Sequence, residues 1–156
     1  MRFSIRSDLA IKPEDLWDAI VCPTEINGEF LPLLKMTFPQ GLEDVTMGWK
    51  PGVTQFRSWI LLGALIPVDY DNLVFEEVVP GAYFLERSSM FSQSLWEHRR
   101  ELKACGGGTT LIDSVCFEPR ITALAPAYRR VFEWLFRRRH RTLVRVYGKM
   151  GSHHGF

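Results

Sequence analysis

The last long run of the chain, Leu124 to Tyr147 (LAPAYRRVFEWLFRRRHRTLVRVY), constrains the fold more than any other segment. At about 100° of turn per residue, Tyr128, Phe132, Leu135, Phe136, Leu143 and Val146 fall on one side, with Val131 on the flank. A stripe of this kind marks a helix laid with one face against a core. Arg130, Arg137, Arg138, Arg141 and Arg145 lie on the opposite side with Trp134, so most of the basic run is expected to face water. Arg139 is the exception. It projects into the middle of the stripe, and a buried guanidinium keeps its charge and needs partners.

What that helix packs on follows from the rest of the chain. Arg2 to Ile11 alternates polar and apolar residues like a strand. Pro13, Glu14 and Asp15 open a helix whose buried side is Leu16, Trp17, Ile20 and Val21. Cys22-Pro23-Thr24 ends it, and Thr24 is placed to cap a second short helix through about Leu34. Met36 to Pro39 reads as a short strand or bend. Gly41 to Gly52 reads as a polar loop that carries Trp49, either as an ordinary solvent loop or as a gate. Strands follow at Val53–Leu65, Pro67–Val79, Tyr83–Phe91, Leu95–Ala104 and Thr109–Phe117, with Asp71-Asn72 as a local bend. Pro80-Gly81 and the glycines at 106–108 supply turns. Strands segregated from helices mean an α+β fold, with one long helix covering one curved antiparallel sheet.

Composition narrows the class. The 156 residues suit one domain over 1–150, with residues 151–156 (GSHHGF) a short polar tail whose paired histidines receive no function. A chain this long buries roughly two-thirds of its unfolded surface and needs no staples. The formal net charge of +1 leaves no bulk field for nucleic acid, so none is expected as a partner. No apolar run approaches the ~18–20 residues of a membrane span, and the N-terminus lacks the apolar core of a signal peptide, so no stable membrane insertion is expected. Cys22, Cys105 and Cys116 show no CxxC spacing and point to reduced thiols in a cytoplasmic protein. Neither monomer nor homodimer is favoured.

Three segments resemble a known family. KPEDLWDAI is similar to its opening helix after the first strand. WEHRRELKACGGGTTLIDSVCFEP is similar to its strand–glycine-loop–strand pair, with Thr109, Asp113, Val115, Phe117 and Pro119 in the second strand. FRRRHRTL resembles its closing helix pattern at Phe136, Arg139, His140 and Leu143. On these residues the chain resembles the START-like, or SRPBCC, superfamily, which includes polyketide cyclase/dehydrase-like proteins. The resemblance implies a helix-grip fold with a hydrophobic cavity between sheet and helix. It implies no single reaction, because that superfamily holds carriers, cyclases and other binders.

Strand alternation then selects side chains for the cavity. Glu97, Arg99, Glu101 and Lys103 form a row expected to face water, which turns Trp96, His98, Arg100 and Leu102 inward. The next strand sends Leu111, Asp113, Val115 and Phe117 inward, and the preceding one Phe84, Glu86, Ser88 and Met90. Arg57 and Trp59 share a parity on a strand whose two rows are both mixed. The interior polar set is therefore Arg57, Glu86, His98, Arg100, Asp113 and Arg139. It reads as a buried ion-pair lattice, with Asp113 neutralising Arg139 or Arg100 and His98 bonded to Glu86. It reads equally as the polar end of a ligand cavity, or as an acid–base site with His98 and Asp113 as candidate catalytic groups. Trp59, Leu61, Phe75, Phe84, Met90, Trp96, Val115, Phe117, Phe132, Leu135 and Phe136 are the candidate apolar lining.

No metal site is expected from the histidine spacing, and no cofactor, because no phosphate-binding or dinucleotide glycine pattern is present. The expected partner is a small hydrophobic molecule such as a lipid, quinone or polyketide-like ring. A cyclase or dehydratase acting on a polyketide-like carbonyl compound is the alternative. A third reading is an interaction module that uses the arginine face and Trp134.

Overall fold

The computed structural model describes residues 1–150. The segment GSHHGF, expected as a polar tail with two histidines, lies outside the described residues. In chain order the elements are β1 (Arg2–Leu9), α1 (Pro13–Ile20), α2 (Pro23–Phe30), β2 (Leu34–Met36), β3 (Thr54–Leu62), β4 (Ile66–Val79), β5 (Tyr83–Met90), β6 (Gln93–Cys105), β7 (Gly108–Pro119), a 3-10 turn (Thr122–Leu124) and α3 (Ala125–Tyr147). The strands make one antiparallel sheet in the order β1-β7-β6-β5-β4-β3-β2, curled around the long helix. This is the helix-grip α+β architecture.

The short helices follow from proline chemistry. Pro13 and Pro23 each sit in a first turn, where a missing N–H costs nothing. Cys22, not Thr24, occupies the N-cap of α2, without a side-chain hydrogen bond. The helix also stops at Phe30, earlier than Leu34. Leu31 precedes Pro32, whose ring disfavours helical backbone at the residue before it, and Leu31 is extended at ψ 148°.

Two apolar clusters form the core. One gathers Leu9, Leu16, Trp17, Ile20, Leu73, Phe75, Phe84, Leu102, Leu111 and Leu143 among others. The second gathers Phe3, Ile5, Met90, Trp96, Val115, Phe117 and Phe136. Burying each large apolar side chain contributes about 1.5–3 kcal/mol. A polar layer separates the clusters at one level on successive elements: Glu86 between Phe84 and Met90, His98 and Arg100 between Trp96 and Leu102, Asp113 between Leu111 and Val115. Arg139 and His140 occupy the same level on α3, between Phe136 and Leu143.

The helix does not lie centrally over the sheet. Its backbone runs closest to β1, β7 and α2, while Phe132 and Phe136 reach Trp96 and His98 on β6. Phe117 and Phe132 meet at 5.1 Å between ring centroids, and Phe3 and Phe136 at 5.6 Å. Val131 and Val146, expected on or beside the buried stripe, are exposed instead, because the helix rolls toward β1 and β7. Arg138, expected in water, donates to the carbonyls of Phe30 and Leu31 at 3.2 and 3.4 Å. The Phe30 carbonyl also accepts from the Leu33 N–H at 3.0 Å, so Arg138 adds a second donor at the end of α2 and ties α3 to it.

The β6–β7 hairpin turns at Gly106 and Gly107, both at positive φ. Gly108 has a different role. A Cβ there would stand 2.2 Å from the carbonyl oxygen of Leu9, a backbone atom that cannot swing aside. Gly108→Ala is expected to destabilise the fold by about 2–4 kcal/mol, seen as a lowered Tm in thermal unfolding. An unchanged Tm would show that β1 and β7 tolerate separation there.

Candidate functional site

Asp113 is the centre of the polar layer. It is fully buried, and Arg100 stands directly across from it on β6. Arg100 donates from Nε to Oδ1 at 2.7 Å and from Nη2 to Oδ2 at 2.8 Å. His98 Nε2 reaches Oδ1 and His140 Nε2 reaches Oδ2, both at 2.7 Å. A carboxylate can only accept, so both imidazoles donate from Nε2. His140 is anchored on its other side by Ser7, at 2.8 Å from Nδ1. Burial alone would raise the Asp113 pKa, but Arg100 and the imidazole contacts hold it well below the usual carboxylate range.

Glu29, from α2, completes the charge balance. Its carboxylate accepts from both terminal nitrogens of Arg100 at 3.1 Å and lies 3.3 Å from Arg139 Nη2. Burial pushes its pKa up, and the two guanidiniums pull it below normal. Arg139 also stacks over Phe30 and Phe136, 4.4 and 4.8 Å from the ring centroids. Its own pKa is lowered by burial, which the Glu29 charge opposes. Two arginines are thus matched by two carboxylates.

A second acidic pair has no such partner. Asp71 on β4, opposite Met90, and Glu86 on β5, opposite Phe75, are both buried and act on each other's charge. Ser88 donates to Glu86 at 3.0 Å. His98 Nδ1 stands 3.6 Å from Glu86, beyond hydrogen-bond length. Asp71 Oδ1 is buried with no hydrogen-bond partner, and so is Arg139 Nε. Burial raises the Asp71 pKa to about 6. Burial and the neighbouring Asp71 raise Glu86 well above its ordinary value. Two carboxyls this close share a proton rather than both ionise. His98 is kept neutral chiefly by burial, against the pull of Asp113.

These groups border a cavity of about 400 Å³, within the range of small-molecule sites. Phe75, Phe84, Glu86, Met90, Trp96, His98, Arg100, Phe132, Leu135, Phe136 and Arg139 form walls where the sequence placed them. Its walls reach the surface at Leu62, Val68 and Val131, which are 43%, 48% and 56% exposed.

Several expectations need correction. Arg57 and Trp59 stand on the convex face: Arg57 lies 4.0 Å over the Tyr70 ring, and Trp59 is 43% exposed and packs edge-on against Tyr70. Leu61 is also outside the cavity wall. Irregularities between Thr54 and Phe56 and between Ile60 and Leu61 break the alternation of β3, and the buried residue there is Ser58. Val115 and Phe117 are buried where α3 covers β7, away from the cavity. Asp113 is behind the wall and touches it through His98 and Arg100. His98 bonds Asp113 instead of Glu86; of the two arginines expected for Asp113 it takes Arg100, and Arg139 pairs with Glu29. Trp49 packs against the core from the Gly41–Gly52 loop instead of rimming the cavity.

The sequence held signals for what was missed. Glu29 follows Ile26 by three residues and precedes Phe30, so all share one side of α2. His140 lies four residues after Phe136 and three before Leu143, the buried spacing. Asp71 alternates with Leu73 and Phe75, which reads as a strand rather than a bend.

With the geometry in view, the comparisons with known proteins can be placed. Residues 7–147 match a family described as a domain of unknown function, DUF8410. The chain belongs to that family. No curated protein matches it significantly. Solved structures share its fold. CV1439 from Chromobacterium violaceum is 14% identical with a TM-score of 0.70, over 96% of this chain and 98% of that one. The AHSA1 protein SPO3351 from Silicibacter pomeroyi is 14% identical with a TM-score of 0.67, over 94% and 100%. DynU16, from the dynemicin biosynthetic locus, is 13% identical with a TM-score of 0.60, over 96% of this chain and 49% of that one. The chain therefore spans about half of DynU16. These likenesses establish the helix-grip fold.

Removing Asp113 leaves Arg100 and both histidines without their shared acceptor, so Asp113→Ala is expected to cost about 3–5 kcal/mol, measured by denaturant unfolding. A loss below 1 kcal/mol would make the bonds incidental. For Asp71 the sign is opposite. Its folded pKa is raised, so its favourable contribution is complete below its unfolded value near 3.8 and is lost as pH rises through about 6. Asp69 and Glu86 are the ionisable neighbours that act on Asp71, and Arg139 acts on Glu86. Asp71→Asn is expected to gain roughly 1–3 kcal/mol relative to wild type between pH 4 and pH 8. Parallel stability–pH curves for the two proteins would remove the shared-proton account.

Proposed function

We propose that residues 1–150 act as one binding domain that holds a small hydrophobic molecule in the cavity between the sheet and α3. The observation that carries this reading is the gap of about 400 Å³ lined mainly by apolar side chains, among them Leu73, Phe75, Phe84, Trp96 and Phe136. A cavity of this size is a net loss of packing unless something fills it. The offset of α3 toward β1 and β7 creates the gap, and the exposed rim at Leu62, Val68 and Val131 gives a ligand a way in.

The geometry favours a binder over a cyclase or dehydratase. His98, the candidate proton-transfer group, is held by Asp113, and the strongest charges are engaged with one another. The interaction-module reading loses two of its arginines. Arg137 pairs with Glu133 at 2.8 Å, and Arg138 caps α2.

Native mass spectrometry of the purified chain should show a bound small molecule that solvent extraction removes. Leu73→Trp, which fills the cavity, should abolish uptake of a fluorescent hydrophobic dye while the far-ultraviolet circular dichroism stays unchanged. Undiminished uptake by the folded variant would place binding elsewhere and overturn the proposal.

A further inference from the structure

The polar end of the cavity constrains the chemistry of whatever enters it. Of the charged groups there, Arg100 is committed to Asp113 and Glu29, and Arg139 to Glu29. Two positive charges meet two negative ones, so no cation is left over to receive a ligand anion. The remainder is the pair Asp71 and Glu86, both in the cavity wall. A carboxylate brought against this pair becomes a third acidic group in a poorly screened environment, a costly arrangement.

The two unpartnered atoms are of opposite kinds. Asp71 Oδ1 is an acceptor without a donor, and Arg139 Nε is a donor without an acceptor. Both belong to buried side chains that line the cavity. An ammonium group brings only donors, so Arg139 Nε would remain without an acceptor. A carboxylate brings only acceptors. A hydroxyl brings one donor and two acceptor lone pairs. Around it, Met90, Trp96, Phe75 and Phe84 offer an apolar and aromatic enclosure with little further polarity. This is the pattern of a site in which a few polar groups orient an otherwise apolar ligand.

We propose that Asp71 and Glu86, with Arg139 beside them, form a hydroxyl-recognition site, and that the ligand is an uncharged amphiphile bearing an alcohol or phenol oxygen. The proposal rests on the cavity being a hydrophobic-ligand site. Asp71 and Glu86 hold one proton between them, so the pair donates to the ligand oxygen and accepts from its O–H. Recognition of this kind discriminates by leaving a buried group unpaired when the hydroxyl is missing, which is a larger effect than a weak attraction at the surface.

The test uses four probes on one skeleton: β-naphthol, β-naphthoate, β-naphthylmethylamine and β-methylnaphthalene, each titrated calorimetrically into the full chain at neutral pH. β-Naphthol is expected to bind about tenfold or more tightly than β-methylnaphthalene, the gain of one well-made buried hydrogen bond. The naphthoate and the amine are expected to bind more weakly than β-naphthol. In Asp71→Asn, which keeps the shape and removes the charge, the rejection of β-naphthoate should relax. In Asp71→Leu the β-naphthol advantage should disappear while β-methylnaphthalene still binds. Tighter binding of the naphthoate or the amine, or an unchanged ranking in both variants, would overturn the hydroxyl site and leave the cavity reading standing. Failure of all four probes to bind would overturn the cavity reading and this inference with it.

Discussion

Four hydrogen bonds converge on the carboxylate of Asp113, and the fold depends on them. They join β6 to β7 through Arg100 and His98, and α3 to the sheet through His140. Arg100 then extends the network to Glu29 on α2, and Glu29 reaches back to Arg139 on α3. One acceptor-only group thus ties sheet, short helix and long helix into a closed loop of charge. Burying these ions carries a heavy desolvation cost, and the arrangement holds because donors and acceptors are nearly all matched. Its contribution is largely one of specificity. Any roll of α3 that kept the apolar contacts would separate His140 and Arg139 from their partners.

The level at which this layer lies also explains why there is a cavity at all. An apolar cluster sits on each side of it. Charged side chains cannot collapse into a void as leucine or phenylalanine can, because each must keep its partner distance. The layer therefore acts as a set of struts between sheet and helix. Phe75 and Phe84 on one side and Trp96 and Phe136 on the other approach the same space without filling it. Asp71 and Glu86 stand on the sheet wall, where Arg139 of α3 acts on Glu86 from beside it but forms its ion pair with Glu29.

The architecture was legible in the chain because its signals are local. Proline and acid mark the helix starts, glycine and proline mark the turns, and alternation gives the inward rows of β5, β6 and β7. The period of α3 singled out Arg139 correctly. The pairing of the interior charges was not legible, since partners lie on elements distant in sequence: Glu29 and Arg100 are 71 residues apart. Alternation failed on β3, where irregular register makes parity meaningless, and so Arg57 and Trp59 were assigned to the wrong face. It was also abandoned too early at Asp71, where an Asp-Asn dipeptide looks like a turn but continues the strand. Val115 and Phe117 were inward as expected. Only the lateral offset of the helix, which no single segment encodes, separates covered core from open cavity.

That offset gives the cavity two unlike jaws. The jaw of α2, α3, β1 and β7 is cross-linked by the ion network and by Arg138 on the α2 carbonyls. The jaw of β2, β3 and β4 ends in a three-residue edge strand and lies farther from the helix backbone. Ligands of different girth would be accommodated by bending the second jaw while the first keeps its shape. Under the proposed binding role, selectivity at the polar end and tolerance of the apolar body would be mechanical properties of different parts of one sheet.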